Sequence, residues 1–168
     1  MGIVVRRAEL GDVGGLARVH VGSWRETYRG LFSDAILDDP TFVERRERFW
    51  TRVLTDDRSG STTRVAVALS ADEAVGVAMA SVPMDDDAAW DQQLYVLYTY
   101  ASVHGQGAGS SLLAAVVDPD ASAALWVADP NPRAQAFYRK HGFRWDGTSK
   151  VEDGVREIRM VRIPDGVN

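Results

Sequence analysis

The chain has 168 residues, of which 45% are hydrophobic and 26% are charged, the proportions of a folded rather than a disordered protein. Its net charge of −5 argues against a general nucleic-acid binder, because such proteins bind phosphates through Lys and Arg. The absence of cysteine excludes disulfides, thiolate nucleophiles and cysteine-ligated metals. We therefore expect one domain over residues 1–168 with no nucleic-acid partner.

The three histidines, His20, His104 and His141, are not paired at the spacing of metal ligands, so we expect no metal site. The first apolar run is too short for a signal peptide, and no segment approaches the roughly 18 apolar residues of a membrane span. The sequence thus predicts a cytoplasmic protein with no membrane partner.

Hydrophobic periodicity and turn residues predict the following elements in chain order. They are a strand over 3–7, a helix from Asp12 to Gly30, a turn of helix at 33–34, a helix over 42–54, a loop at 56–61, strands over 64–69, 75–82 and 93–100, a helix over 107–117, a strand over 124–127, a helix over 131–140, and strands over 143–149 and 156–163. This order mixes meander and crossover connections, so the fold class is α/β or α+β around one mixed sheet.

A glycine-rich turn precedes the helix over 107–117, with glycines at 105, 107 and 109. Glycines there allow a tight turn that points consecutive amides outward at a helix N-terminus, an arrangement that binds phosphate. The spacing is neither that of a dinucleotide fingerprint nor that of a P-loop. The alternative is a tight connection with no ligand.

The segment over 126–143 contains a second motif. Asn131 begins a helix in which Ala134, Phe137 and Tyr138 recur at helical spacing, and Gly142 ends it. Together with the glycine turn, this segment resembles the GNAT superfamily of acyl-CoA-dependent N-acetyltransferases. The resemblance implies a mixed, mostly antiparallel sheet of about seven strands, splayed at the cofactor site and flanked by about four helices.

The resemblance implies acetyl-CoA as cosubstrate, with no metal. Its predicted binding residues are Leu97, Tyr98, Thr99, His104, Gly105, Gln106, Gly107, Ala108, Gly109, Ser110, Asn131 and Tyr138. His104 stands where the family more often has Arg, Gln or Trp. In the family, the tyrosine equivalent to Tyr138 commonly protonates the departing thiolate; a phenol, protonated at neutral pH, suits that role. The alternative for Tyr138 is a purely structural core residue.

The strand before the glycine turn departs from the family pattern. Relatives often have a glutamate there that acts as general base through water, but this chain has Gln93. An amide can orient a water or the amine but cannot accept a proton at neutral pH. The base is then a nearby carboxylate at 85–87 or 91, or the amine arrives neutral, or acetyl transfer is weak. Gln93 is retained as a candidate catalytic and substrate-binding residue.

The first helix carries His20, Ser23, Trp24, Arg25, Tyr28 and the following Arg-Gly-Leu, a pattern that resembles an H-x-x-S-W-R-x-x-Y-R-G-L subset of the family. Trp24 and Tyr28 are four residues apart and share a helix face, so they are predicted to bind the substrate amine as an aromatic wall. The alternative is simple packing of this helix on the sheet. The acidic run at 85–87 either attracts a cationic amine or is a solvated loop.

These observations predict an N-acetyltransferase that transfers acetyl from acetyl-CoA to a primary amine of a small molecule. Direct attack in a ternary complex is expected, because no cysteine is available for an acyl-enzyme. A homodimer is possible by analogy with the family. The alternatives are a non-catalytic acyl-CoA-binding module, which Gln93 favours, and a nucleotide-binding regulator.

Overall fold

The computed structural model describes residues 2–56 and 62–165; most of the loop predicted at 56–61 lies outside them. The strands are β1 (Val4–Arg7), β2 (Arg64–Ser70), β3 (Glu73–Ser81), β4 (Gln92–Thr99), β5 (Ala123–Ala128), β6 (Arg144–Glu152) and β7 (Val155–Arg162). The helices are α1 (Val13–Tyr28), α2 (Asp34–Leu37), α3 (Phe42–Thr55), α4 (Ala108–Val116) and α5 (Pro132–Lys140). The described residues therefore contain five helices where about four were expected, α2 being a single turn.

The seven described strands form one mixed sheet in the order β1-β2-β3-β4-β5-β7-β6. Among them, β4 and β5 form the parallel pair, and their pairing is confined to residues 92–94 against 123–125. A bulge separates the register of Leu94 from that of Val96, so Tyr95 is an extra residue on β4. Beyond Leu94 the two strands diverge and open a gap in the middle of the sheet.

Each face of the sheet carries its own apolar cluster. On one face, α4 and α5 pack over residues that include Leu112, Leu125 and Tyr138. On the other, α1 and α3 pack through residues that include Leu16 and Trp50. The gap between β4 and β5 is therefore accessible from two different layers, one on each side of the sheet.

In the part of the chain that the structure describes, no helix is long and apolar enough to cross a membrane. Within the same residues, no group of three or more His, Asp or Glu side chains is arranged to hold a metal ion.

Candidate active site

A cavity of about 510 Å³ fills the gap where β4 and β5 diverge. Its walls come from β4, the turn before α4, β5, α5 and one face of α1. The glycine turn, the Tyr138 ring and the Tyr28 ring all line this one space. Two motifs that are far apart in the sequence therefore meet at the same cavity as the first helix.

The glycine turn forms one end of the cavity. Gly105 and Gly107 have φ values of +79° and +84°, a region that side chains with a Cβ rarely adopt. Gly107 immediately precedes α4, whose first amides have no partner within the helix. A Cβ on Gly109 would lie 3.2 Å from the Phe137 ring, so this glycine allows α4 and α5 to approach closely. The result is a row of amide donors at a positive helix terminus, open to the cavity.

The predicted cofactor residues line the cavity with one exception. Gln106 is exposed outside the lining, and its side-chain amide donates to the Ser102 carbonyl at 3.2 Å. His104 lines the cavity at its exposed rim; burial and then the nearby Arg133 charge lower its pKa. His104 is therefore neutral at pH 7 and offers a single N–H donor rather than a positive charge.

Tyr138 lies on α5, and Asn131 fixes the start of that helix. The Asn131 Oδ1 atom accepts a hydrogen bond from the Ala134 amide at 3.3 Å, as expected of an N-cap residue. Tyr138 is 8% exposed and packs against Phe143, with ring centroids 5.9 Å apart, yet it also lines the cavity. Burial raises its pKa, so the phenol is protonated at neutral pH. Tyr138 therefore packs in the core and also faces the cavity.

Gln93 is not among the residues that line the cavity. It is 2% exposed, and its Oε1 atom accepts a hydrogen bond from the Trp90 indole at 2.9 Å. Of the alternative carboxylates, Asp91 accepts from the Ser122 hydroxyl at 3.1 Å, and Asp86 is exposed. The geometry thus brings neither the glutamine nor these two acids to the reaction cavity.

The other two acids of this loop are held by a buried arginine. The Arg159 guanidinium is 7% exposed and lies 2.8 Å from Asp87, 3.3 Å from Asp85 and 2.7 Å from Asp146. Its hydrogen bond lowers the pKa of Asp87. Asp85 also accepts from the Trp126 indole at 3.1 Å. These carboxylates act as structural anchors for the wall that contains Trp126, and they share the single positive charge of Arg159.

Tyr28 lines the cavity from α1, beside Ser23 and Thr27. Burial raises its pKa, so it is a neutral hydrogen-bonding phenol. Trp24 is not in the lining: its ring stacks on Phe32 at 5.2 Å and meets the Tyr28 ring edge-on at 5.2 Å. The structure therefore places Tyr28 at the cavity and Trp24 in the layer behind it.

The lining residues that the sequence analysis does not assign include Trp126, Ser23 and Thr27. A large aromatic residue within the short apolar strand β5 was one available signal, because Trp126 alternates with Leu125 and Val127, whose side chains enter the core. Ser23 and Thr27 are four residues apart and share one face of α1. Their spacing is the same as that of Trp24 and Tyr28, and it is the sequence signal for their place at the cavity.

Residues 23–143 match the family model described as the Acetyltransferase (GNAT) family. The chain belongs to this family. A protein of Bacillus subtilis (strain 168) called "Uncharacterized N-acetyltransferase YuaI" is 29% identical to this GNAT chain over 173 residues, which cover 97% of this chain and 90% of that one.

Solved structures share the GNAT fold. PaiA N-acetyltransferase from Thermoplasma acidophilum, in complex with coenzyme A, superposes with a TM-score of 0.73 at 18% identity, covering 95% of this chain and 98% of that one. A structure from Corynebacterium glutamicum ATCC 13032, described as histone acetyltransferase HPA2 and related acetyltransferase, gives 0.72 at 21% identity and 99% coverage of both chains. The predicted GNAT fold, a mixed, mostly antiparallel sheet of about seven strands flanked by helices, is confirmed.

Proposed function

We propose that this GNAT acetyltransferase is a cytoplasmic enzyme that transfers acetyl from acetyl-CoA to a primary amine of a small molecule, with both substrates bound together. One observation carries the proposal: a single cavity joins the amide donors at the start of α4 to the Tyr138 phenol and the Tyr28 wall. An anionic cofactor, a proton donor and an acceptor chamber are the three parts that this reaction needs.

The residues present fit acetyl-CoA. The amides at 107–110 would hold its pyrophosphate, because they lie at a helix terminus that Gly107 leaves free of a Cβ. Beyond Leu94, the edge of β4 that faces β5 makes no strand pairing, so backbone groups on this edge can hydrogen-bond an extended arm. Bound acetyl-CoA supplies an activated acyl group with a thiolate leaving group.

The chain's own part in the reaction is positioning and proton transfer. No cysteine is present to form an acyl-enzyme, so the amine nitrogen attacks the thioester directly. Burial keeps Tyr138 protonated, and the gap between the strands gives the phenol access to the sulfur position. We assign Tyr138 as the acid that protonates the departing sulfur.

The test is acetyl-CoA turnover, followed through release of the CoA thiol, over a panel of amino acids, polyamines, aminoglycosides and peptides. Tyr138→Phe should lower kcat by about 100-fold while changing the Kd of acetyl-CoA less than about threefold. Tyr100→Phe is the matched control, because Tyr100 lies outside this cavity, and it should keep nearly full activity. Undiminished turnover in Tyr138→Phe would refute the acid role.

One observation favours a second candidate, a non-catalytic acyl-CoA-binding module. Gln93 stands at the position where relatives often have a general base, and it lies outside the cavity. That function predicts tight acetyl-CoA binding by calorimetry with no thiol release above the rate of hydrolysis for any amine in the panel.

A further inference from the structure

A carboxylate that the sequence motifs do not include lies one strand away from Trp126, which together with Tyr28 lines the part of the cavity that we call the acceptor end. In the β5–β7 ladder, Ala128 is opposite Glu157, Val127 is opposite Ile158 and Trp126 is opposite Arg159. Side chains alternate between faces along each strand, and opposite residues share a face. Ile158 packs into the core with Tyr138. Glu157 therefore projects on the other face of the sheet, the face of the Trp126 ring that lines the cavity.

Glu157 is half-buried on the face of the sheet that carries Trp126, and like Gln93 it is not itself among the residues that line the cavity. Its side chain is 26% exposed, whereas that of Glu152, on the neighbouring strand, is 61% exposed. Burial raises the pKa of Glu157, and the charges of Glu152 and Asp153 add to this, while Lys150 opposes it. On the cavity side, the charge of Glu157 contributes, after burial, to the raised pKa values of the Tyr28 and Tyr98 phenols. Both phenols line the cavity, and the influence of Glu157 on them is smaller than that of burial.

The Lys150 side chain shows that an ammonium group fits at this place. Its Nζ atom lies 4.4 Å from the centroid of the Trp126 ring and 3.7 Å from the Glu157 carboxylate. A cation over an indole and against a carboxylate is the usual arrangement for binding an ammonium ion. Lys150 is itself 41% exposed and is closer to Glu152, at 3.1 Å, so Glu157 is its weaker partner.

Neighbouring carboxylates on this face are already paired. Asp87 and Asp146 lie within 2.8 Å of the buried Arg159, and Asp85 accepts from the Trp126 indole. The longer and shared contact of Glu157 leaves this carboxylate able to exchange Lys150 for another cation. A negative charge beside Trp126 and Tyr28 suits a positively charged acceptor.

We propose that Glu157 binds the ammonium group of the acceptor and removes one of its protons, so that the substrates are amines that arrive protonated. The inference rests on the proposed acetyl transfer. Glu157 takes one proton from the ammonium and passes it to solvent, and the freed nitrogen lone pair forms the C–N bond. As the C–S bond breaks, the sulfur receives the Tyr138 proton, and Tyr138 regains a proton from the same nitrogen. The net products are the amide, free CoA thiol and one proton.

Glu157→Gln and Glu152→Gln form the decisive pair, because each removes one negative charge next to Lys150. With the best amine of the panel, Glu157→Gln should lower kcat/KM by about 100-fold, and the acid limb of its pH profile should disappear. Glu152→Gln should stay within about twofold of the wild type and keep that limb. Calorimetry should give the same acetyl-CoA Kd for all three proteins.

Glu157→Asp keeps the charge, and it distinguishes a role in proton transfer from a purely structural role. It should retain the acid limb with a lower kcat, whereas loss of an ion pair that only stabilises the fold would lower the melting temperature and leave the pH profile unchanged. Equal pH profiles and equal kcat/KM for Glu157→Gln and Glu152→Gln would overturn the role of Glu157 and leave acetyl transfer intact. A wild-type protein that acetylates no amine would overturn both proposals.

Discussion

The cavity wall at the glycine turn, one end, consists of small residues and backbone amides, whereas the acceptor end around Tyr28 and Trp126 presents aromatic rings. Gly105, Gly107 and Gly109 shape the first end, and their lack of a Cβ leaves amide donors open at the start of α4. Tyr28 and Trp126 line the second, with Glu157 beside them, and these three residues come from α1, β5 and β7.

The contrast matches the way in which we propose that the two substrates are recognised. An end made of backbone groups offers the same donors whatever the neighbouring side chains are, which suits a cofactor with an invariant pyrophosphate. An end made of side chains from three distant elements can change with single substitutions, which suits recognition of one particular acceptor. The following variants test whether the two ends are as separate as this account requires.

The largest effect is expected from Arg159→Leu, which removes the anchor of the acceptor wall. It would leave Asp85, Asp87 and Asp146 without their shared partner. We expect the free energy of unfolding to fall by about 3 kcal/mol, the lower part of the range for a buried pair, because Asp87 is 66% exposed. For a domain of this size the melting temperature should drop by roughly 10 °C in calorimetry.

Arg156→Leu is the control on the same strand, since Arg156 is 46% exposed and pairs with Asp129. This substitution should lower the free energy of unfolding by less than about 1 kcal/mol. Equal losses for the two variants would show that the Arg159 cluster is not an anchor.

The next effect is a pH dependence of stability that arises in the layer behind the acceptor end. His20 is 3% exposed, and burial, followed by the charge of Arg46, lowers its pKa to about 3. The unfolded chain binds a proton near pH 6.5 and the folded chain does not, so the stabilisation is complete above that pH and is lost as the pH falls towards 3. Between pH 7 and pH 5 this group should remove about 2 kcal/mol from the free energy of unfolding.

Denaturant titrations of His20→Leu should show a pH dependence that is weaker by this amount, whereas His104→Ala, at an exposed histidine, should keep it. If the free energy of unfolding of His20→Leu depends on pH as strongly as that of the wild type, the pH dependence does not arise from His20.

A smaller effect should separate the cofactor end from the rest of the fold. Gly107→Ala places a Cβ at φ +84°, with a cost of about 1 kcal/mol, and moves the amides at the start of α4. The acetyl-CoA Kd should rise about tenfold in calorimetry, which is about 1.4 kcal/mol of binding free energy. Gly154→Ala introduces similar strain at φ +78° in the β6–β7 turn and should leave the Kd unchanged. If both variants weaken acetyl-CoA binding equally, the glycine turn is not the pyrophosphate site.

The smallest effect is expected from Tyr28→Phe, which removes one hydroxyl from the acceptor end. The KM for the amine should rise about threefold to fivefold, equivalent to less than about 1 kcal/mol, with no change in the KM for acetyl-CoA. Trp24→Phe, which alters the layer behind Tyr28, should lower the melting temperature and leave both KM values unchanged. A larger KM change in Trp24→Phe than in Tyr28→Phe would place Trp24 at the acceptor.

The cofactor end was predictable because its determinants are local. The glycine positions and the Asn131 cap act through neighbouring residues on one turn or helix, so spacing alone indicated them. The acceptor end depends on strand register: the bulge at Tyr95 changes which face the residues of β4 present, and the β5–β7 pairing brings Glu157 onto the face of Trp126. Neither the bulge nor the pairing has a signature within one segment of sequence.

The most direct test of a two-ended cavity is a crystal structure of this protein with acetyl-CoA bound. The account predicts the pyrophosphate on the amides at 107–110, and the thioester sulfur within hydrogen-bonding reach of the Tyr138 hydroxyl. The acetyl group should face the space between Tyr28 and Trp126. A pyrophosphate bound elsewhere, or a Tyr138 hydroxyl directed away from the sulfur, would contradict it.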